Sequence, residues 1–363
     1  MRFFPPRKMI GMPETTPPLH VLVTGASGFL GRHVVHELLD HGMRVTAAGR
    51  NSSALEPLKS AGADLYVGDL ASLATADLDV DAIIHCAALS SPWGRWRDFE
   101  EANVYGTRHV VTLAQRCTER RNAHYAASHE GQQHPVRVVF VSSPSVYAAP
   151  RDRHNISEDQ ADPKNRLNHY IRSKILAEQT LQSALKSGEL EELVIVRPRG
   201  LIGVGDPSLL PRLLDVHRRV GIPLFNSGRN LVDLTSVENV ALALRLAMTA
   251  PRASGQVYNI TNDDPRPMGD LLRQLLGNIG VTPRMWRANP QLVYALAGVM
   301  ERIYQVFPWL GEPSLTRYTV TTIAYSQTLD ISRARKELGY EPRIGLDDSL
   351  ARFAQHWKEQ PDA

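Results

Sequence analysis

From His20 onward, short β-branched runs alternate with longer segments whose apolar positions recur every three to four residues. These are the two periods that separate a buried strand from an amphipathic helix. His20 to Thr24 predicts a first strand, Phe29 to His41 a helix with Leu30, Val34 and Leu38 on one side, and Arg44 to Gly49 a second strand. Further strands are predicted at Asp64 to Val67, Ala82 to Cys86 and Val136 to Val141, with a helix around Phe99 to Arg116 before the last. Repeated βαβ units of this kind build a Rossmann-like, doubly wound α/β fold around a parallel sheet.

Between helix and fifth strand, Thr118 to Pro135 is polar and long, which predicts a poorly ordered surface insertion. A helix from Leu167 to Lys186 and a strand from Leu193 to Arg197 follow, after which Gly and Pro become frequent. Leu231 to Met248 and Val257 to Thr261 read as returns to the sheet layer. Residues 19–198 plus 231–261 are therefore expected to form a dinucleotide-binding domain, and 199–230 plus 262–363 a smaller, discontinuous substrate domain. In the latter, Leu292, Leu296, Val299 and Ile303 form one helical stripe near Trp286, Tyr304, Phe307 and Trp309. Three readings fit: a core helix, which is favoured, an apolar lid over a greasy substrate, or a helix lying in a membrane interface.

Composition narrows the classes. With 363 residues, 43% of them hydrophobic, the chain can bury a large core. Its 41 basic residues against 38 acidic ones are scattered, so nucleic acid is not an expected partner. Two cysteines, Cys86 and Cys117, give neither a disulfide framework nor a zinc cluster, which suits a reducing cytoplasm. No apolar run approaches the ~20 residues of a membrane span. Residues 1–18 are proline-rich without an apolar core and read as a disordered extension. His33, His36 and Glu37 share a helix but have no fourth ligand in view, so no metal is expected.

Directly after the first strand come Gly25, Ser27, Gly28, Phe29, Leu30 and Gly31, a GxxGxxG turn that opens the first helix. Gly25 and Gly28 would let the backbone approach a pyrophosphate, Gly31 would let the helix lie close on the sheet, and the helix N-terminus offers free N–H groups. The second strand ends in Arg50-Asn51-Ser52-Ser53 with no carboxylate, which favours the 2′-phosphate of NADP, with NAD as the alternative. Asp69 and Leu70, after the third strand, are placed to meet the adenine, although an Asp in such a turn is also explained without a ligand.

Tyr170 and Lys174 form a YxxxK pair one turn apart on a predicted helix. A nearby ammonium favours a phenolate, so Tyr170 could exchange protons near neutral pH. Ser142, Ser143 and Ser145 end the fifth strand, at the sheet edge where ligands bind.

With the glycine turn, the strand-end serines and YxxxK in this order, the chain resembles the extended short-chain dehydrogenase/reductase family from about Leu19 to Tyr340. The resemblance maps the catalytic serine, four residues before a tyrosine, onto Ser143 ahead of Tyr147, with Ser142 and Ser145 behind it. It implies that Lys174 also binds the nicotinamide ribose and that His85-Cys86-Ala87-Ala88, a partial match, passes it. Asn103 would be structural or part of a proton relay, and Pro198 marks the crossing between domains beside the cofactor.

Ser91-Pro92-Trp93-Gly94, Arg197-Pro198-Arg199-Gly200 and Gly311 to Arg317 look like the 3β-hydroxysteroid dehydrogenase-like branch, and within it the bacterial 2-alkyl-3-oxoalkanoate reductases. This implies a small hydrophobic ketone or alcohol substrate, a β-keto acid or steroid-like compound, touched by Trp93, Ser145 and Arg199. Arg199 could pair with a substrate carboxylate or form a domain-interface salt bridge. A homodimer through the Phe99 and Leu167 helices is the family's expectation, and weak peripheral membrane contact remains compatible. The rival readings are a nucleotide-sugar epimerase or dehydratase, which usually carries an asparagine where Arg199 to Gly205 stand, and a non-catalytic NADP-binding sensor.

Overall fold

Seven strands, all parallel, make the central sheet of the computed structural model, which describes residues 18–128, 135–207 and 209–359. In chain order they are β1 (His20–Thr24), β2 (Arg44–Gly49), β3 (Asp64–Val67), β4 (Ala82–His85), β5 (Arg137–Val141), β6 (Glu192–Pro198) and β7 (Val257–Ile260). Across the sheet the order is β7-β6-β5-β4-β1-β2-β3, so the chain winds outward from β1 in both directions. The extension expected at 1–18 lies outside the described residues except for its last member.

The strand text is nearly continuous hydrophobe because helices cover both faces. Val21 and Val23 of β1 pack with Val34, Val35 and Leu38 of α1 (Phe29–Asp40). Leu22, pointing the other way, packs with Val110 and Val111 of α2 (Gly106–Ser128) and Leu181 of α3 (His169–Ser187). A further helix, α4 (Val237–Thr249), lies on the α1 side through Val240, Leu244 and Ala247. Two short helices, Ser52–Ser60 and Leu70–Thr75, complete the crossovers and escaped the sequence reading.

Three expectations need correction. The polar stretch from Thr118 does not begin an insertion: α2 runs on to Ser128, carried by local helix propensity, and only 129–134 fall outside the described residues. Leu231 to Ser236 does not join the central sheet, although α4 and β7 beyond it do. Leu231–Val232 pairs with Arg266–Pro267 and Gln327–Leu329, the last of which pairs with Arg153–Ile156 in a separate four-stranded sheet. Thr235–Ser236 pairs with Leu201–Ile202.

The favoured core role for the 291–305 stripe also fails. In α5 (Pro290–Val306) the inward face is Val293, Tyr294 and Ala297, packed against Val320 and Ala324 of α6 (Arg317–Ala324). Leu292, Leu296, Val299 and Ile303 point to solvent, 61, 52, 58 and 44% exposed. A helix with apolar residues on two faces offers periodicity no way to choose between them. Among the described residues no helix is long and apolar enough to cross a membrane.

Candidate active site

The parallel registers bring every strand's carboxyl end to one edge: Thr24 sits opposite Ala48 and His85, His85 opposite Phe140, and Pro198 opposite Ile260. The glycine turn, Arg50, Asp69, Ala87, Ala88, the three serines, Pro198 and Arg199 all follow directly from these ends, where open α/β sheets bind ligands.

At the turn after β1, Gly25 has φ +66°, and a Cβ there would meet the Ala87 backbone at 2.8 Å. A Cβ on Gly31 would overlap the Gly25 carbonyl oxygen. Both glycines are thus set by close backbone approach. Gly28, exposed, is the N-cap of α1, and no side chain caps that helix end. Uncapped N–H groups behind an exposed glycine are the donor set that a pyrophosphate satisfies, with Ser27, Phe29 and Leu30 flanking it. Arg50 is exposed at the end of β2, just before Asn51, whose side chain caps the next helix by accepting from the Ala54 N–H at 3.2 Å. Asp69 caps the helix beginning at Leu70, accepting from the Ser72 N–H at 2.8 Å, and those hydrogen bonds from Ser72 lower its pKa. These residues fit a dinucleotide, with no acidic group at the end of β2 to repel a 2′-phosphate.

A buried relay that the sequence did not reveal fixes the loop after β4. Thr107 Oγ1 donates to the Asn103 carbonyl oxygen at 2.6 Å, so it accepts from His85 Nε2 at 3.2 Å. His85 Nδ1 then accepts from Thr24 Oγ1 at 2.7 Å, and Thr24 Oγ1 accepts the Ala87 N–H at 3.3 Å. Burial pushes the His85 pKa down to about 3, as this neutral tautomer requires. Asn103 itself lies in a π-helical turn, Glu100–Tyr105, a local widening common at functional sites. Its amide accepts from the Leu89 N–H at 2.7 Å and donates to the Leu89 carbonyl at 3.0 Å and to Ser173 Oγ at 2.8 Å. The loop after β4 and the Tyr170 helix are thereby tied to one side chain.

Tyr170 begins α3, capped by Asn168, whose side chain accepts from the Ile171 N–H at 2.8 Å. Burial raises the Tyr170 pKa, while hydrogen bonding from Ser143 and from Ser90, a residue not singled out in the sequence, opposes the rise. Lys174, one turn on, is buried over the Phe140 ring and donates to the Val141 carbonyl at 2.6 Å. Burial lowers its pKa to about 8, against the raising effects of Glu178 and Cys86. The expected depression of the phenol by Lys174 is not seen: the ammonium turns to the strand end, and burial dominates the tyrosine.

The three serines separate. Ser142 donates to Glu178 at 2.5 Å, and Glu178 is held by both arms of Arg197, at 2.9 and 2.6 Å. Arg197 also donates to Tyr147, which donates to Asn259, both near 2.8 Å. Ser142 and Tyr147 therefore belong to a buried structural network. Ser143 faces Tyr170, and Ser145 faces Tyr318 on α6. The Tyr318 and Tyr170 rings lie 6.4 Å apart, edge to face. No sequence spacing could have joined them.

Arg199 is 6% exposed and forms no salt bridge among the described residues, so the interface ion pair weighed for it is not made. Trp93 lines a cavity of about 210 Å³ with Phe99, Leu167, His169, Glu301 and Arg317, beside the Tyr170 end of α3. The Phe99 ring is 6.5 Å from Tyr170. Glu301 of α5 accepts from the Arg317 backbone N–H at 2.7 Å and from its guanidinium at 2.6 Å, which anchors the start of α6 and so the position of Tyr318.

Residues 21–261 match the NAD dependent epimerase/dehydratase family. The chain is 32% identical to uncharacterized protein YbjS of Escherichia coli K12, over 93% of this chain and 97% of that one. It is 31% identical to a 2-alkyl-3-oxoalkanoate reductase of Stenotrophomonas maltophilia, over 92 and 98% of the two chains. It is 28% identical to mouse sterol-4-alpha-carboxylate 3-dehydrogenase, decarboxylating, over 92 and 89%. Among solved structures it is similar to MoeE5 in complex with UDP-glucose and NAD, at 23% identity and a TM-score of 0.69 over 93 and 98% of the chains, a likeness of fold.

Proposed function

The chain belongs to the NAD dependent epimerase/dehydratase family, and from that premise we propose an NADP(H)-dependent oxidoreductase that interconverts a ketone and a secondary alcohol on a hydrophobic substrate, a β-keto or β-hydroxy acid or a steroid-like compound. The observation that carries this reading is Tyr170: a buried phenol whose pKa burial raises, with Ser143 hydrogen-bonded to it at the sheet edge and Lys174 one helical turn on. A protonated phenol is the donor that ketone reduction requires, and a positioned donor of this kind contributes roughly 10²–10⁴-fold to rate.

The residues that would hold the cofactor are Gly25, Ser27, Gly28, Phe29, Leu30 and Gly31 at the pyrophosphate, Arg50 at the 2′-phosphate, Asp69 and Leu70 at the adenine, and Ala87, Ala88, Tyr170, Lys174 and Pro198 towards the nicotinamide. When bound, the nicotinamide supplies or accepts the hydride. Ser143 orients the substrate oxygen, and Tyr170 gives its phenolic proton to that oxygen as it gains charge. Lys174, cationic below about pH 8 and held at the strand end by the Val141 carbonyl, would bind the nicotinamide ribose. Residues 199–230 and 262–363 form the substrate domain, with Trp93 at the cavity wall.

The exposed face of α5 supports weak peripheral contact with an anionic lipid surface. Trp309, 76% exposed, and Phe307 extend the stripe. Arg284, Arg287 and Arg302 are exposed around it, and the one carboxylate between Arg284 and Leu310, Glu301, is buried against Arg317. Apolar area with a basic rim is the composition that holds an interfacial helix.

The test is cofactor oxidation by the purified chain with NADPH or NADH against long-chain β-keto acids, a 3-ketosteroid and a 4-keto sugar nucleotide. Turnover of a hydrophobic ketone with NADPH preferred is expected. Turnover of the 4-keto sugar nucleotide alone would move the substrate class to sugar nucleotides, tightly held NAD⁺ with no net cofactor oxidation would support an epimerase or dehydratase, and tight nucleotide binding with no reaction a sensor.

A further inference from the structure

The first turn of α6 is pinned from two directions. Thr316, its N-cap, accepts from the Thr319 N–H at 3.0 Å. Glu301 reaches across from α5 and accepts from the Arg317 N–H at 2.7 Å and from its guanidinium at 2.6 Å. These N–H groups are among those that a helix start leaves without intrahelical partners, and the helix dipole favours a carboxylate beside them. Glu301 is nevertheless only 5% exposed. A carboxylate is costly to bury, and here it secures the start of a helix of eight residues.

Tyr318 is the second residue of that turn. It packs on the cluster of Val146, Ile171, Ile175 and Leu329, which seats α6 against the helix that carries Tyr170. Its ring stands 6.4 Å from the Tyr170 ring at an interplanar angle of 66°, an edge-to-face pair within the roughly 4.5–7 Å that aromatic rings favour. Phe99 supplies a second ring to Tyr170, at 6.5 Å and 56°. The Tyr170 side chain thus meets two rings from distant parts of the chain, one just before the π-helical turn and one on α6.

We propose that Tyr318 is a positioning residue for the proton donor: clamped through Arg317 by Glu301, its ring holds the Tyr170 side chain in the rotamer that presents the hydroxyl to Ser143 and shields that hydroxyl from water. The inference rests on the reading of Tyr170 as the proton donor, and adds that the donor is completed by a helix near the far end of the chain. A side chain can choose among several staggered rotamers, and packing against two rings selects one of them. The selection matters because a displacement of about 1 Å at a reacting group can cost about a hundredfold in rate. It is the ring of Tyr318 that meets Tyr170, so the ring and not the hydroxyl carries the role.

The test combines steady-state reduction of a long-chain β-keto acid by NADPH with a pH titration of the Tyr170 phenol, read by NMR of protein labelled at tyrosine Cζ, the Tyr170 signal being the one lost in Tyr170→Phe. Tyr318→Ala and Tyr318→Leu, which remove the ring, should lose about ten- to a hundredfold in kcat with a smaller change in KM. Tyr318→Phe, which keeps it, should recover most of that loss. Glu301→Ala should lose part of kcat, and Glu301→Gln, which can still accept from the Arg317 N–H, less. In the two ring-deleted variants the Tyr170 signal should titrate at lower pH than in the wild type, because water then reaches a phenol whose pKa burial had raised. Wild-type kcat in both, a change confined to KM, a loss in Tyr318→Phe equal to that in Tyr318→Ala, or an unmoved Tyr170 titration would overturn the proposal. Retained NADP⁺ affinity checks that each variant is folded, and Tyr318→Leu, the smaller change, serves if Tyr318→Ala is not. Absence of ketone reduction by the wild type would count against the oxidoreductase reading, and the Tyr170 titration would still decide whether Tyr318 holds and shields the phenol.

Discussion

The Lys174 ammonium donates to the carbonyl oxygen of Val141, the last residue of β5, at 2.6 Å. This bond ties the YxxxK helix to the strand end that carries Ser143, and it holds a cation in a site where burial lowers its pKa to about 8. Below that value the group is charged, and above it the charge is lost. The rate of ketone reduction should accordingly be flat through neutrality and fall as pH rises past about 8. Lys174→Met should be slower at pH 7 by about tenfold or more and show no limb near 8. A pH profile of kcat/KM for both proteins checks this, and an unchanged limb in the variant would contradict it.

Ser142 and Ser143 are neighbours with opposite duties. Ser142→Ala removes one hydrogen bond to Glu178, which Arg197 still holds, and should cost about 1–3 kcal/mol of stability with kcat little changed. Ser143→Ala should lower kcat by about a hundredfold with little change in Tm. Thermal melts and steady-state rates on the two variants separate the roles.

Replacement of His85 should loosen the loop after β4, which its hydrogen bonds to Thr24 and Thr107 hold in place. His85→Leu leaves Thr24 and Thr107 without their buried partner and should destabilise the fold by about 1–3 kcal/mol. Asparagine, which can replace one of the two bonds, should recover part of the loss in a denaturant titration.

Arg50 offers the simplest test of cofactor choice. Arg50→Glu should weaken NADPH by roughly ten- to a hundredfold, the worth of a charge-assisted pair with a phosphate, and leave NADH much less affected. Equal loss with both cofactors would remove Arg50 from the 2′-phosphate role.

How far the sequence could be read depended on the kind of information each feature needs. The βαβ alternation was legible because strands buried on both faces, such as Leu22 between Val21 and Val23, must be hydrophobic throughout. Gly25 and Gly31 were legible because any side chain there collides with backbone. The α5 stripe was misread because Leu292 and Leu296 follow helical spacing as well as Val293 and Ala297 do, and only the position of α6 decides which pair is inside. Ser90 and Tyr318 meet Tyr170 through the folded chain, so no local spacing announces them. The sequence is compatible with either an ion pair or a ligand contact at Arg199, and only the coordinates show that no carboxylate among the described residues lies within salt-bridge distance of it.

The most direct measurement is single-turnover reduction of a long-chain β-keto acid by NADPH with the wild type and with Tyr170→Phe, alongside cofactor affinity for each. The account predicts that the wild type oxidises NADPH and that the variant binds it normally but reduces the ketone at least a hundredfold more slowly. Near wild-type turnover by Tyr170→Phe would contradict it.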